Sequence, residues 1–128
     1  MTSQGKGSVQ VGFVGLGKMG WPMAQNLANA RYPLVVHDLE EERQSGFAAD
    51  HDCVAADGPE AFAGAGLVIT MLPDDRSVRA AVLEWQGGIA SSLASGSVVV
   101  DMSSSNPEGT KRLGAELRKR GLGGLYDR

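Results

Sequence analysis

A turn reading Gly15-Leu16-Gly17-Lys18-Met19-Gly20 follows directly on the apolar run from Val9 to Val14. Glycines at this spacing let free backbone N–H groups approach a phosphate, because no Cβ holds the anion away. Alone the pattern is weak, since ordinary turns are also rich in glycine. Its context is more specific: a strand precedes, a helix follows, and the acidic Asp38 ends the next strand, where a carboxylate takes the hydroxyls of an adenosine ribose. Gly15 then makes the tight turn, Gly17 admits a pyrophosphate, and Gly20 brings the helix against the strand. Leu16, Lys18 and Met19 belong to the same candidate cofactor site. Asp38 also suits a plainer role, capping the following helix with Glu41 as the second half of a capping box. Its charge repels a 2′-phosphate, and no cation comes before Arg43, so the cofactor expected is NAD, with NADP as the alternative.

Other reactive side chains offer no rival chemistry. His37 beside Asp38 reads as a partly buried strand histidine rather than a general base, and His51 as a loop residue in solvent. The adjacent Asp74 and Asp75 suit a helix start better than a catalytic carboxylate pair. Trp21, Trp85 and Phe62 read as packing residues, because no basic stripe accompanies them. Cys53 is the single cysteine of the chain, which rules out an internal disulfide or a cysteine zinc knuckle.

The elements that would position these residues alternate in type. Strands are expected at Val9 to Val14, Leu34 to His37, Cys53 to Ala56, Leu67 to Leu72 and around Val98 to Val100. Helices are expected from Lys18 to Ala30, from the acidic start Glu40-Glu41-Glu42, after Asp57 as N-cap, from Pro73 to about Trp85, and from Asn106 to the Gly121 stop. Such alternation implies an α/β fold, a doubly wound parallel sheet of the Rossmann type, with strand order 3-2-1-4-5. The expected organisation is a disordered start over 1–8, one dinucleotide-binding domain over 9–121 and an irregular tail over 122–128.

Length and charge agree with one ordinary domain. The 128 residues are 42% hydrophobic with a net charge of -3, enough for one core and without the basic field that attracts nucleic acid. No segment has the apolar length of a membrane span or the pattern of a secretory leader. A cytoplasmic protein with no membrane and no nucleic-acid partner is therefore expected.

Beyond the glycines, Phe13 to Leu27 resembles the G-L-G-x-M-G-x-P-M-A-x-N-L signature of the 3-hydroxyisobutyrate dehydrogenases, relatives of the 6-phosphogluconate dehydrogenases. Met71-Leu72-Pro73-Asp74 is similar to that family's M-L-P loop, and Asp101-Met102-Ser103-Ser104-Ser105-Asn106-Pro107 to its D-x-S-[ST]-x-x-P motif. The resemblance extends from about Val9 to Gly121. It implies that Leu72 and Pro73 lie against the cofactor, with Ser77 a polar contact one helical turn on. It places Ser103 and Ser104 at the substrate carboxylate, with Ser104 also on the nicotinamide side of the cofactor. Ser105 reads as no more than a cap.

Members of that family continue into a strand, an S-G-G substrate loop and a long helical domain carrying a catalytic lysine. This sequence instead reads Gly121-Leu122-Gly123-Gly124-Leu125-Tyr126-Asp127-Arg128, where neither an apolar strand nor S-G-G is expected. Lys6, Lys18, Lys111 and Lys119 match nothing in the catalytic helix. The resemblance thus implies a shortened β-hydroxyacid dehydrogenase that binds a dinucleotide, has no catalytic residue of its own, and meets a small hydroxy acid only when completed by a C-terminal domain. Its standing as an enzyme is left open by these residues. Two other readings remain: a non-enzymatic dinucleotide-binding or assembly module, and the N-terminal part of an imine reductase-like enzyme. A homo-oligomer is also compatible, because such relatives dimerise through the helical domain.

Overall fold

In the computed structural model, which describes residues 9–103 and 107–126, six parallel strands form one sheet in the order β3-β2-β1-β4-β5-β6. In chain order these are β1 (Val11–Val14), β2 (Leu34–His37), β3 (Val54–Ala55), β4 (Leu67–Thr70), β5 (Val98–Asp101) and β6 (Gly123–Tyr126). The helices are α1 (Gly20–Asn29), α2 (Glu41–His51), α3 (Asp75–Arg79) and α4 (Pro107–Lys119). A 3-10 turn, Pro59–Phe62, stands where a longer helix was expected after Asp57, and Gly58 rather than Asp57 occupies its N-cap. No helix among the described residues is long and apolar enough to cross a membrane.

The strands form because short apolar runs here can be buried on both faces, as a parallel sheet requires. All four residues of β1 are buried. Val11, Phe13, Leu34 and Val36 pack with Leu16, Ala24 and Phe47 on the α1/α2 side. Val14, Val35, Val68 and Val99 pack with Phe62, Val78, Ile89, Leu113 and Leu117 on the other side. The two sets follow the period-2 alternation of a strand. Gly12 leaves the room that the Phe62 ring fills, since a Cβ there would sit 2.5 Å from the ring.

β6 corrects the expected irregular tail and extends the expected five-strand order by one. It pairs in parallel with β5, Val98 opposite Gly123 and Asp101 opposite Tyr126. Gly123 and Gly124 have low strand propensity and mask the signal, yet the position accommodates them. A Cβ on Gly123 would press on Val98 at 3.1 Å, and one on Gly124 would already touch Leu117. The turn into β6 is legible. Gly121, with φ +78°, ends α4 in a Schellman motif, the Gly121 and Leu122 N–H groups donating to the carbonyls of Arg118 and Leu117.

Register brings the functional loops to one edge. Val14 lies opposite both His37 and Thr70, and Thr70 opposite Asp101. The ladder continues one step further, with Gly15, Met71 and Met102 N–H groups donating to the carbonyls of His37, Val14 and Thr70 at 3.0, 2.8 and 2.9 Å. The loops after β1, β2, β4 and β5 therefore all leave the sheet at its carboxyl edge, where open α/β sheets hold ligands.

Candidate functional site

The glycine turn has the geometry its spacing predicts. Gly15 has φ +107°, and a Cβ there would overlap the Met71 carbonyl, so only glycine fits at the crossing of the two loops. At Gly20 a Cβ would overlap the Gly15 carbonyl oxygen and stand 3.2 Å from the Phe13 ring, which is the close approach of α1 to β1. Gly17 differs, because a Cβ there would meet nothing within 4 Å. The fold needs no glycine at that position; a ligand close to the backbone would. Met19 holds the N-cap of α1 and supplies no side-chain hydrogen bond. In the first turn Pro22 has no N–H and the Trp21 N–H donates to the Gly17 carbonyl at 2.9 Å, which leaves the Gly20 N–H for an anion.

Asp38 lies below that turn with 8% of its surface exposed. Its Oδ2 accepts the Leu16 N–H at 2.7 Å and its Oδ1 accepts the Glu40 N–H at 2.8 Å. The carboxylate therefore joins the glycine turn to the end of β2. It is not the cap of α2: Glu40 occupies that position without a side-chain cap bond, so the expected capping box with Glu41 does not form. Arg43 Nη1 lies 3.3 and 3.4 Å from the two Asp38 oxygens.

Two lobes of one cleft meet at Asp38, Leu39 and Leu72. The polar lobe, about 640 Å³, is lined by Gly15, Gly17, Lys18, Met19 and Gly20, by Glu40 and Arg43, and by Met71 and Pro73. The apolar lobe, about 490 Å³, is lined by Val14, His37, Ser77, Ala80, Ala81 and Trp85, with Arg76 and Glu84 at its edge. Leu39 between them is 86% exposed, an apolar platform beside the Asp38 carboxylate. Of the residues expected at the site, Leu16 contributes its backbone N–H and keeps its side chain in the core.

Ser103 is buried, and its Oγ accepts the Leu72 N–H at 2.7 Å. Asp101 Oδ1 accepts the Thr70 hydroxyl at 3.0 Å and the Ser103 N–H at 2.9 Å. This short chain of bonds latches the M-L-P segment to the loop after β5. Ser104, along with Ser105 and Asn106, lies outside the described residues.

The family model for the NAD binding domain of 6-phosphogluconate dehydrogenase matches residues 10–125. The chain belongs to that family. It is 37% identical over 113 residues to the NAD-dependent L-serine dehydrogenase of Pseudomonas aeruginosa, covering 88% of this chain and 38% of that protein. The structure of Mycobacterium tuberculosis 3-hydroxyisobutyrate dehydrogenase with L-serine superposes with TM-score 0.83 at 29% identity, over 92% of this chain and 39% of that one. A structure of Psf3 with NADP+ and 2-OPP superposes with TM-score 0.80 at 26% identity, over 89% of this chain and 40% of that one. The chain thus spans about two fifths of the length of these relatives. Its Rossmann architecture and NAD(P) cofactor class are those of the family.

Within this NAD-binding domain several positioning residues escaped the sequence reading. Gln44 is one: its Oε1 accepts the Asp38 N–H at 2.9 Å and faces His37 Nδ1 at 2.9 Å, while Nε2 donates to the Ala56 carbonyl at 2.9 Å. Buried with Phe47 on the inner face of α2, it is a polar residue where the helical period calls for an apolar one, and that mismatch was the available signal.

His37 and Trp85 stack with centroids 3.9 Å apart and an interplanar angle of 14°. The sequence does not show that contact, because it depends on how α3 ends. Asp74 caps α3 through the Ser77 N–H at 2.8 Å, as expected, but the helix widens into a π turn over Ala80–Glu84. Trp85, with φ -57° and ψ 106°, then ends it, and left-handed Gln86 follows with φ 46°. The wider turn re-aims the chain and brings Trp85 over His37. Burial holds the His37 pKa below 6.5, against the opposing effects of Gln44 and Asp38. Half-buried and in a stack, it is the packing histidine expected. His51 is not in a solvated loop; it ends α2, stacks on Phe47 at 4.1 Å and bonds the Phe47 carbonyl through Nδ1 at 3.1 Å.

Proposed function

We propose that this chain is the cofactor-holding part of a β-hydroxyacid dehydrogenase, binding NAD in preference to NADP and passing no hydride without a partner domain. The observation that carries the reading is the two-lobed cleft joined at Asp38. Its polar lobe fits a pyrophosphate against the α1 N-terminus, where Gly17 leaves open space. Its apolar lobe fits an adenine lying on Leu39 with Ser77 at its side. Between them the fixed Asp38 carboxylate accepts the ribose hydroxyls. The donor set suits a dinucleotide, and the cation at Asp38, Arg43, is already paired with Asp38 and Glu40, which supports the preference for NAD.

Leu72 and Pro73 carry the path toward the nicotinamide end, held by the Ser103 latch. Ser103 and Ser104 are proposed at the substrate carboxylate, in a pocket that the partner domain completes. When bound, the nicotinamide supplies hydride chemistry at its C4. Removing the hydroxyl proton needs a general base, and no lysine of this chain matches the one that relatives use. Lys18 is exposed at the glycine turn, at the phosphate end of the cleft. These 128 residues are therefore expected to bind and orient cofactor without turnover.

Two measurements test the proposal. Calorimetry of the purified chain should show heat and thermal protection on adding NAD; a folded sample silent at millimolar NAD and NADP would remove the basis of the reading. Incubation with NAD and 3-hydroxyisobutyrate should leave NADH absent, and its appearance at an enzyme-like rate would refute the need for a partner domain.

A further inference from the structure

The contacts on Asp38 are of two kinds. The Leu16 and Glu40 N–H bonds, at 2.7 and 2.8 Å, are short and fix a nearly buried carboxylate. Arg43 is held loosely, its Nη1 3.3 Å from Asp38 Oδ1 and its Nη2 3.5 Å from a Glu40 oxygen, with the guanidinium side chain 38% exposed. A carboxylate offers about four lone-pair positions. Backbone amides take two of them, so a ribose hydroxyl donating to Asp38 takes a position that Arg43 now covers. Arg43 is the exposed partner of this pair, and its 3.3 and 3.4 Å contacts are longer than a strong charge-assisted hydrogen bond, so the arginine can yield to a hydroxyl while staying tethered to the first turn of α2.

We propose that Arg43 is a movable counter-ion that lets the ribose end of this cleft accept a 2′-phosphorylated dinucleotide as well as an unphosphorylated one. This rests on the dinucleotide reading above. With a free 2′-hydroxyl, the hydroxyl donates to Asp38 and Arg43 swings to the rim. A 2′-phosphate has no proton to donate near neutral pH and would face the Asp38 charge directly. The planar guanidinium between them screens that repulsion and takes the phosphate oxygens with two parallel N–H groups. Glu40, 68% exposed on its side chain, competes for the same guanidinium, and the neighbouring Glu41 and Glu42 add negative charge. The 2′-phosphate is therefore accepted, but less tightly than the hydroxyl.

Dissociation constants for NADH and NADPH, measured by calorimetry on the full chain and on Arg43→Ala and Glu40→Gln, test this. Arg43→Ala should leave NADH within about threefold and weaken NADPH by about tenfold or more, while Glu40→Gln tightens NADPH by about threefold. Raising salt should weaken NADPH more than NADH in the unchanged chain and no more than NADH in Arg43→Ala, where only repulsion at the 2′-phosphate is left to screen. An Arg43→Ala protein that weakens both dinucleotides alike, or leaves NADPH untouched, overturns the assignment. Should Arg43→Ala fail to fold, Glu40→Gln decides alone, since unaltered NADPH binding in that variant also overturns it. If the unchanged chain binds neither dinucleotide, the proposed function fails and takes this inference with it.

Discussion

Two glycines of one turn should respond oppositely to a side chain, and the contrast separates binding from folding. At Gly17 a new Cβ meets no atom within 4 Å, so Gly17→Val should change stability by no more than about 0.5 kcal/mol. Its methyl groups would stand where the pyrophosphate approaches the amides. Losing one charge-assisted N–H contact, about 1.5–3 kcal/mol, weakens NADH by roughly ten- to a hundredfold. At Gly20 a Cβ overlaps the Gly15 carbonyl and crowds the Phe13 ring. Overpacking of that kind costs about 1–3 kcal/mol, which outweighs the gain of up to ~1 kcal/mol from alanine's better helix propensity. The Gly20→Ala melting temperature should fall by roughly 4 °C for each kcal/mol of net destabilisation. Thermal melts with and without NADH, plus calorimetric titration, read both effects. A Gly17→Val protein that binds NADH normally, or melts as low as Gly20→Ala, would refute the separation.

Ser103→Ala removes the acceptor of the Leu72 N–H and should cost about 1–3 kcal/mol through an unsatisfied donor. It should also weaken NADH by loosening the Leu72-Pro73 loop; unchanged stability in melts would count against the latch. His37 has a folded pKa below its ordinary 6.5, so the unfolded chain binds the proton more readily. Its contribution to stability is then present above pH 6.5 and is lost as the pH falls below it. Melting temperatures at pH 7.5 and 5.5 should differ less in His37→Phe than in the unchanged protein, and an equal difference would exclude His37 as a source. Burial first, and then Asp52, push the Cys53 pKa from 9.0 to about 11. At pH 8 its thiolate fraction is about a hundredfold below that of the unfolded chain. Iodoacetamide should label the native protein slower by at least that order, and comparable rates would contradict the burial.

The parts of this fold legible in the sequence are those fixed by local physics. Gly15, Gly17 and Gly20 declare a tight turn between strand and helix, and Gly121 declares the end of α4. Asp38 is legible from its place after the apolar run Leu34 to Val36, and Asp74 from its place before a helix. The residues that were not legible act through tertiary contact. Gln44 gains its role only when α2 docks on the end of β2, and the His37 and Trp85 stack needs the π turn of Ala80–Glu84. β6 escaped because its two glycines carry no strand pattern; their smallness shows its value only beside Val98 and Leu117. Family resemblance assigns Ser103 to the substrate carboxylate. Its bond to the Leu72 N–H is a long-range latch that no spacing reveals.

Amide chemical-shift mapping of the isotopically labelled chain during an NADH titration tests the central claim most directly. The account predicts saturable shifts at Leu16 to Gly20, Leu39, Leu72 and Ser77, with Arg31 and Cys53 at the opposite edge of the sheet unmoved. Shifts confined to that opposite edge, or none in a folded sample, would contradict it.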